Sequence, residues 1–371
     1  MMGVPFLDLK SEYRSLKTEI DAAVQDVLAS GYYVLGEKVE KFEEQFARYI
    51  GVKYAVAVNS GTSAVFLALR AQGIGADDEV ITQANTFVAT CEAIAMTGAT
   101  PRLVDVHPDS RNMDPSLISE AISSKSRAIM PVHLYGLPAN MEGILEVARE
   151  AGLPVVEDAA QAHGAECEVS DLKARVGSLG SMGAFSFYPS KNLGCYGEGG
   201  AVVTNDRELY ERVVMLRDHG QKGKHAHVEI GGNYRMSAFQ GAILGVKLAK
   251  LDQFNQMRIE LARTYDEILS RTGVVLPKSG DGTKHVYHLY VIEAPGRDSL
   301  RERLAGEKIG TGIHYPYPVH LCPAFEYLGY EEGDFPVSEA LCRRILSLPM
   351  YPQLSSEDAR YVARKVVGFL E

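Results

Sequence analysis

A chain of 371 residues, 46% hydrophobic and 23% charged, has the size and make-up of a folded enzyme of about two domains, which excludes a disordered, collagen-like or mini-protein class. Lys and Arg number 38 against 48 Asp and Glu, so a net charge of −10 repels a phosphate backbone and disfavours nucleic-acid binding. An anionic small molecule stays open, since it needs only a local cluster of donors. Cys91, Cys167, Cys195, Cys322 and Cys342 are odd in number and contain no C-x-x-C pair, which reads as reduced thiols in a cytoplasmic protein, with no zinc site. Asp8, Lys10, Glu12 and Arg14 interrupt the N-terminus before an export-signal core could form, and no run of about 18 uncharged apolar residues offers a membrane span.

Over 39–50 the apolar Val39, Phe42, Phe46, Tyr49 and Ile50 recur at steps of three and four, which predicts an amphipathic helix. YAVAV at 54–58, the turn NSGT and the run SAVFLALRA predict strand, tight turn and helix. The alternation continues with strands at 79–82, 102–106, 127–132 and 154–158, separated by the helical runs FVATCEAIAMTG, PSLISEAI and MEGILEVAREAG. Val- and Ile-rich strands of this kind, with helices between them, indicate α/β architecture: a mostly parallel central sheet covered by helices on both faces. After Gly183 the pattern changes to two adjacent strands, 184–188 and 200–206, joined by a Gly-rich loop. A long helix over 237–269 reads as the connector between a large domain, 1–250, and a smaller C-terminal α+β domain, 251–371. That domain is expected to hold a strand at 286–294, a helix near 299–304, a strand at 312–315 and a helix near 337–346.

The phosphate loops G-x-x-x-x-G-K-[ST] and G-x-G-x-x-G, the zinc helix H-E-x-x-H and the nucleophile elbow G-x-S-x-G are all missing. Nucleotide hydrolysis, nicotinamide redox chemistry, zinc proteolysis and α/β-hydrolase chemistry lose their usual signatures with them. Three polar clusters stand instead at strand ends, where open α/β sheets bind ligands. In Ser60-Gly61-Thr62-Ser63 the glycine lets backbone approach a ligand, and the first helical N–H groups with the hydroxyls make an anion site. The plainer reading is an ordinary N-cap. Glu157-Asp158, with Gln161 and His163 behind, puts carboxylates at a strand end, where they can pair with a cationic group on a ligand. Here too an N-cap is the alternative, and His163 is equally read as a structural histidine. The third cluster, SFYPSKNLGCYGEGG at 186–200, is the strongest. Its Lys191 follows apolar residues on a Gly-rich loop, where partial desolvation lowers an amine's pKa and suits it to Schiff-base chemistry. An exposed loop lysine is the competing reading.

In order along the chain, SGTSA at 60–64, EDAAQAHG at 157–164, SFYPSKNLGCYGEGGAVVTND at 186–206, GGNYRM at 231–236 and GIHYPYPVHLCPAF at 312–325 resemble the nucleotide-sugar aminotransferases of the DegT/DnrJ type. The resemblance spans nearly the whole chain and implies a pyridoxal 5'-phosphate (PLP) enzyme of fold type I, the aspartate aminotransferase fold. It implies that Lys191 forms the Schiff base with PLP and shuttles the proton, that Asp158 pairs with the pyridine nitrogen, and that Gln161 stands near the phenolic oxygen. Gly61, Thr62 and Ser186 match the phosphate cup, and Phe87 the aromatic that stacks on the ring. Asn233 matches an asparagine that reaches the phosphate from the neighbouring subunit, so a homodimer with shared active sites is expected.

The implied reaction carries the amino group of L-glutamate, through the pyridoxamine form, to a nucleotide-diphospho-keto-sugar. Tyr188 before the proline, and Asn-Leu-Gly after Lys191, resemble the family members acting at carbon three, which favours a dTDP-linked 3-keto-6-deoxyhexose. Tyr188, His314, Tyr315 and His320 are the candidates for the sugar and diphosphate, with aromatic packing at a subunit interface as their alternative. The segment between His163 and Ala184 is more acidic and longer than the family's short basic stretch, so a loop near the substrate is expected to differ. Lys222, Lys224, His225 and His227 share the loop 220–232, and without a third ligand nearby the histidines read as part of a solvated basic loop, not a metal site. Lys191 argues against a sugar dehydratase of the same family, which replaces that lysine. A UDP-linked 3-keto sugar, a 4-keto sugar and a non-catalytic PLP-binding regulator are the remaining alternatives, and the full set Asp158, Gln161, Lys191 and Asn233 argues against the last.

Overall fold

The computed structural model describes residues 3–223 and 225–370. In chain order its strands are β1 (Tyr54–Val58), β2 (Glu79–Gln83), β3 (Thr100–Val104), β4 (Ser126–Met130), β5 (Val156–Asp158), β6 (Glu166–Val169), β7 (Leu172–Arg175), β8 (Met182–Ser186), β9 (Gly200–Thr204), β10 (Tyr290–Glu293) and β11 (Ile345–Leu348). β3, β2 and β4 pair in parallel, as do β5 and β8, and the parallel bridges Ile129–Val155 and Val132–Asp158 join the two groups. β9 runs antiparallel between β8 and β1. The sheet order is therefore β3-β2-β4-β5-β8-β9-β1, with every strand but β9 pointing the same way.

Strand alternation divides the core in two. Ala55 and Ala57 of β1 join one cluster and Val56 and Val58 the other, and β9 splits likewise into Ala201 and Val203 against Val202. On the first face the helix Glu37–Ile50 sets Phe42 and Phe46 against Phe185 and Phe187, with ring centroids 5.0 to 5.6 Å apart. The small alanines of β1 leave room for this aromatic layer, and each buried ring contributes about 1.5–3 kcal/mol. On the second face the helix Gly61–Ala71 buries Ala64, Val65, Leu67, Ala68, Leu69 and Ala71, an apolar surface too wide for one contact. It lies between the sheet and the helices Val88–Met96 and Arg207–Arg217. With both faces covered, the carboxyl edge of the parallel strands is what stays open.

The C-terminal unit packs the helices Leu251–Leu269 and Ser356–Leu370 on the antiparallel pair β10–β11. Val4 joins that core from the other end of the chain: its N–H donates to the Lys308 carbonyl at 3.0 Å and its carbonyl accepts from Gly310 at 2.8 Å. This tether carries Phe6 and Leu7 to the sheet's open edge.

Several elements differ from the sequence expectation. The single helix over 237–269 is two, Ala238–Leu248 and Leu251–Leu269, broken at Ala249 and Lys250. Buried Leu248 and Leu251 carry the apolar period across the break and conceal it. The expected strand at 312–315 is an isolated bridge, Gly312–Ser347. The expected helix to 346 ends at Arg344, because the next four residues are wholly buried and pair with β10. The acidic segment after His163 folds into the hairpin β6–β7, which turns through positive φ at Ser170 (50°) and Asp171 (63°). Among the described residues no helix is long and apolar enough to cross a membrane.

Candidate active site

The carboxyl ends of β1, β5 and β8 open into one cavity of about 440 Å³. β1 delivers Ser60, whose Oγ accepts from the Ser63 N–H at 3.0 Å and caps the helix Gly61–Ala71. Ser60, Gly61 and Thr62 form one wall, beside Ser186 from the end of β8. The two elements touch so closely that a Cβ on Gly61 would lie 2.5 Å from the Ser186 Cβ. Only glycine keeps the helix start and the strand end this near.

β5 delivers Asp158, whose Oδ2 accepts from Thr90 Oγ1 at 2.8 Å and whose Oδ1 accepts from the Ala160 N–H at 3.1 Å. Its neighbour Glu157 points away and anchors the strand end, accepting from the N–H groups of Gly177, Leu179 and Gly180 at 2.6 to 2.7 Å, with His133 Nε2 at 3.0 Å. Gln161 is fixed at both ends of its amide: Oε1 accepts from the Tyr135 N–H at 2.8 Å, and Nε2 donates to the Tyr315 hydroxyl at 3.0 Å. Across the cavity Phe87, 49% exposed, faces Tyr315 with centroids 5.4 Å apart. His314 Nδ1 pairs with Ser347 Oγ at 2.8 Å while its ring stacks on Phe6.

Lys191 extends from the loop after β8 into the same space. Burial lowers its amine from 10.5 to about 8, partly opposed by the negative charge of Asp158. Burial also raises Asp158, against the hydrogen bonds from Thr90 and Ala160 and the charge of Lys191. A carboxylate in that position gains most from a further cationic partner. His314 falls to about 4, through burial first and then Lys191, and so stands neutral.

A desolvated amine, a buried carboxylate and a helix N-terminus facing one cavity fit a phosphorylated, cationic ring. The sequence model of the DegT/DnrJ/EryC1/StrS aminotransferase family matches residues 14–367. The chain belongs to this family. It is 44% identical over 371 residues to a pleiotropic regulatory protein of Geobacillus stearothermophilus, covering 99% of each chain. It is 47% identical over 369 residues to dTDP-3-amino-3,4,6-trideoxy-alpha-D-glucose transaminase of Streptomyces venezuelae, covering 99% of this chain and 96% of that one. The crystal structure of S. venezuelae DesV in complex with a ketimine intermediate superposes with a TM-score of 0.97 at 46% identity, covering 100% of this chain and 99% of that one.

Aminotransferases of the DegT/DnrJ/EryC1/StrS family use PLP, and the residues of this chain fit it. The N-terminus of the helix Gly61–Ala71 faces the cavity and would offer its first backbone N–H groups to a phosphate, with the Thr62 and Ser186 hydroxyls beside it. The residues that would hold the ring are the Asp158 carboxylate, toward its nitrogen, and the Lys191 amine, toward its aldehyde carbon. Of the residues singled out in the sequence, Gly61, Thr62, Phe87, Asp158, Gln161, Ser186, Tyr188, Lys191, His314 and Tyr315 line the cavity.

Two do not. Asn233 lies outside it, its Oδ1 accepting from Arg235 Nε at 3.0 Å. The expectation that His320 meets substrate is corrected: its Nε2 pairs with Glu339 Oε1 at 3.1 Å, its ring packs edge-on against Phe335, and it is buried away from the cavity. Glu339 also accepts from the N–H groups of Gly333 and Phe335, so this histidine pins a loop. His163 is buried between Phe185 and Phe187. His227 Nδ1 meets the His219 carbonyl at 2.9 Å, and Lys224 lies outside the described residues. Sequence reasoning missed Phe6, Thr90 and His288, all in the wall, where Glu198 of the third cluster joins them. Thr86 and Thr90, four apart at the start of an apolar helix, were the signal for one polar stripe facing the site.

Proposed function

We propose that this chain transfers the amino group of L-glutamate to a dTDP-linked 3-keto-6-deoxyhexose, giving the 3-amino-3,6-dideoxyhexose, and that it does so as a homodimer with shared sites. The observation that carries the reading is the single cavity in which Lys191, Asp158 and Gln161 meet Tyr188, His314 and Tyr315. The 47% identity to a dTDP-3-amino sugar transaminase supports the sugar and the position of amination.

PLP, when bound, supplies the electron sink. The chain's residues supply the rest. Asp158 holds the proton on the ring nitrogen, and its bonds to Thr90 and Ala160 fix the carboxylate. With PLP bound, Lys191 Nζ would hold the proton taken from the donor's α-carbon in the first half-reaction and would return one to the sugar carbon in the second. Gln161 orients the Tyr315 hydroxyl, and the Tyr135 hydroxyl holds the His314 carbonyl, which fixes these two residues in the cavity wall. Tyr188 and Phe87, half exposed, offer apolar faces at the mouth.

The test is an absorbance spectrum of the PLP-loaded protein before and after L-glutamate, without sugar. Conversion of the visible band to that of pyridoxamine phosphate, with one 2-oxoglutarate released per site, is expected. A band that glutamate leaves unchanged removes glutamate as the donor. Screening dTDP- and UDP-linked 3-keto and 4-keto sugars against the aminated form then decides the acceptor. The likeness to a pleiotropic regulatory protein favours one other reading, a non-catalytic PLP-binding regulator; steady turnover with any keto sugar excludes it. Five cysteines outside disulfides suit a reducing, cytoplasmic setting.

A further inference from the structure

His288 stands in the cavity wall, just ahead of β10, with no part in the chemistry above. It is 7% exposed, and its Nδ1 is buried without a hydrogen-bond partner. Its backbone is clamped: buried Arg258 Nη1 donates to the carbonyls of Tyr287, His288 and Met350 at 3.3, 3.4 and 2.8 Å. The next N–H, of Leu289, donates to the Tyr135 carbonyl at 3.3 Å. A buried imidazole on a fixed backbone, without a protein partner, is an open hydrogen-bonding group at a ligand site. With Nδ1 enclosed, Nε2 is the nitrogen left to meet a ligand. A proton on Nε2 also avoids an enclosed N–H without an acceptor.

The charges around it narrow the ligand. Among the described residues that this chain contributes to the cavity lining, Asp158 and Glu198 are acidic, Lys191 is basic and none is arginine. An amino-acid donor brings a carboxylate on the very carbon that must approach Lys191. A keto sugar brings hydroxyls on the carbons beside its carbonyl, into the same space. A guanidinium set for the first would face the second uncompensated, whereas a neutral N–H serves both. Burial first, and then the charge of Lys191, keep His288 well below the usual imidazole range and so neutral. His314 differs, because its Nδ1 is already engaged by Ser347.

Resting on the sugar aminotransferase reading, we propose that His288 contacts both substrates in turn, its ring N–H holding a carboxylate oxygen of the amino donor in the first half-reaction and a sugar hydroxyl in the second.

The experiment compares PLP-loaded wild type with His288→Phe and His288→Gln. α-Methyl-L-glutamate, which has no α-hydrogen to lose, reads donor binding through the visible band, and single-turnover absorbance reads each half-reaction. His288→Phe is expected to keep PLP, to bind α-methyl-L-glutamate about tenfold or more weakly, and to slow both half-reactions at subsaturating substrate. His288→Gln, whose amide keeps an N–H, restores part of each. Unchanged binding and rates, a loss confined to one half-reaction, or a loss that tracks loss of PLP overturns the proposal. Failure of the parent reading looks different: wild type itself ignores L-glutamate, and the amino acid that does convert it then takes glutamate's place in the same comparison. A wild type converted by no amino acid overturns both.

Discussion

A lysine becomes a useful nucleophile only where its surroundings disfavour its charge, and Lys191 meets that condition through burial. At about 8, roughly a tenth of its amine is neutral at pH 7, some hundreds of times more than at the ordinary 10.5. The sign follows directly: raising pH deprotonates the amine and speeds attack on the PLP aldehyde. Capture of PLP by the PLP-free protein, followed by stopped-flow absorbance, is expected to accelerate from about pH 6 and level off just above about pH 8. A rate still climbing at about pH 10 contradicts the burial argument. Asp158 is the carboxylate that opposes the shift, so Asp158→Asn moves the same curve to lower pH. It also removes the counter-charge for the ring nitrogen, and transamination falls by about a hundredfold or more. The two effects are separable, since one is read without substrate and the other with it.

At the scale of elements, the site depends on how closely a helix start and a strand end can approach. Gly61→Ala would put a Cβ 2.5 Å from the Ser186 Cβ and 2.9 Å from its Oγ. Either the helix start or the end of β8 moves, at a cost of about 1–3 kcal/mol. The expected result is a folded protein whose Kd for PLP rises tenfold or more, measured by dialysis and absorbance; unchanged affinity shows that the cradle tolerates a methyl group. This junction was legible in the sequence because the strand, the turn and the amphipathic helix follow one another without interruption over 54–71. The alternating helices and strands of the first half were legible for the same reason, since each buries a full apolar face. The C-terminal unit was harder. β11 is a four-residue strand that continues directly from a helix, and its burial comes from β10, more than fifty residues earlier in the chain. No periodicity marks such a change. His320 was misread because an aromatic-rich loop looks the same whether its histidine faces a ligand or a buried glutamate, and Glu339 is nineteen residues away. The β6–β7 hairpin turns through Ser170-Asp171 without the Asn-Gly or Asp-Gly pair that announces such turns.

At the scale of the whole molecule, the proposed shared site makes each cavity depend on Asn233 of a second copy. Asn233 sits on the segment Gly231 to Met236, outside its own chain's cavity, where its carbonyl accepts from Asn59 Nδ2 at 3.3 Å. Near it along the chain, Val228 and Ile230 are 61% and 90% exposed, and Tyr32, Val34 and Met96 are also more than half exposed. Met96 and Ile230 line one groove, and apolar side chains left open there suit the partner surface that a shared site needs. If that partner is a second copy, two-fold symmetry carries each Asn233 to the other chain's phosphate site, and the dependence becomes testable by mixing. Lys191→Ala is inactive in every site of its own homodimer, and Asn233→Ala is impaired in every site of its own. In a freely exchanging equal mixture about half the dimers are hybrids, and each hybrid holds one intact site and one doubly damaged site. Activity is therefore expected to recover to about a quarter of wild type, although neither variant has it alone. A site built within one chain predicts no recovery, because every chain in the mixture is defective. Tagging the two variants differently, and isolating the hybrid, separates failure to exchange from failure to share.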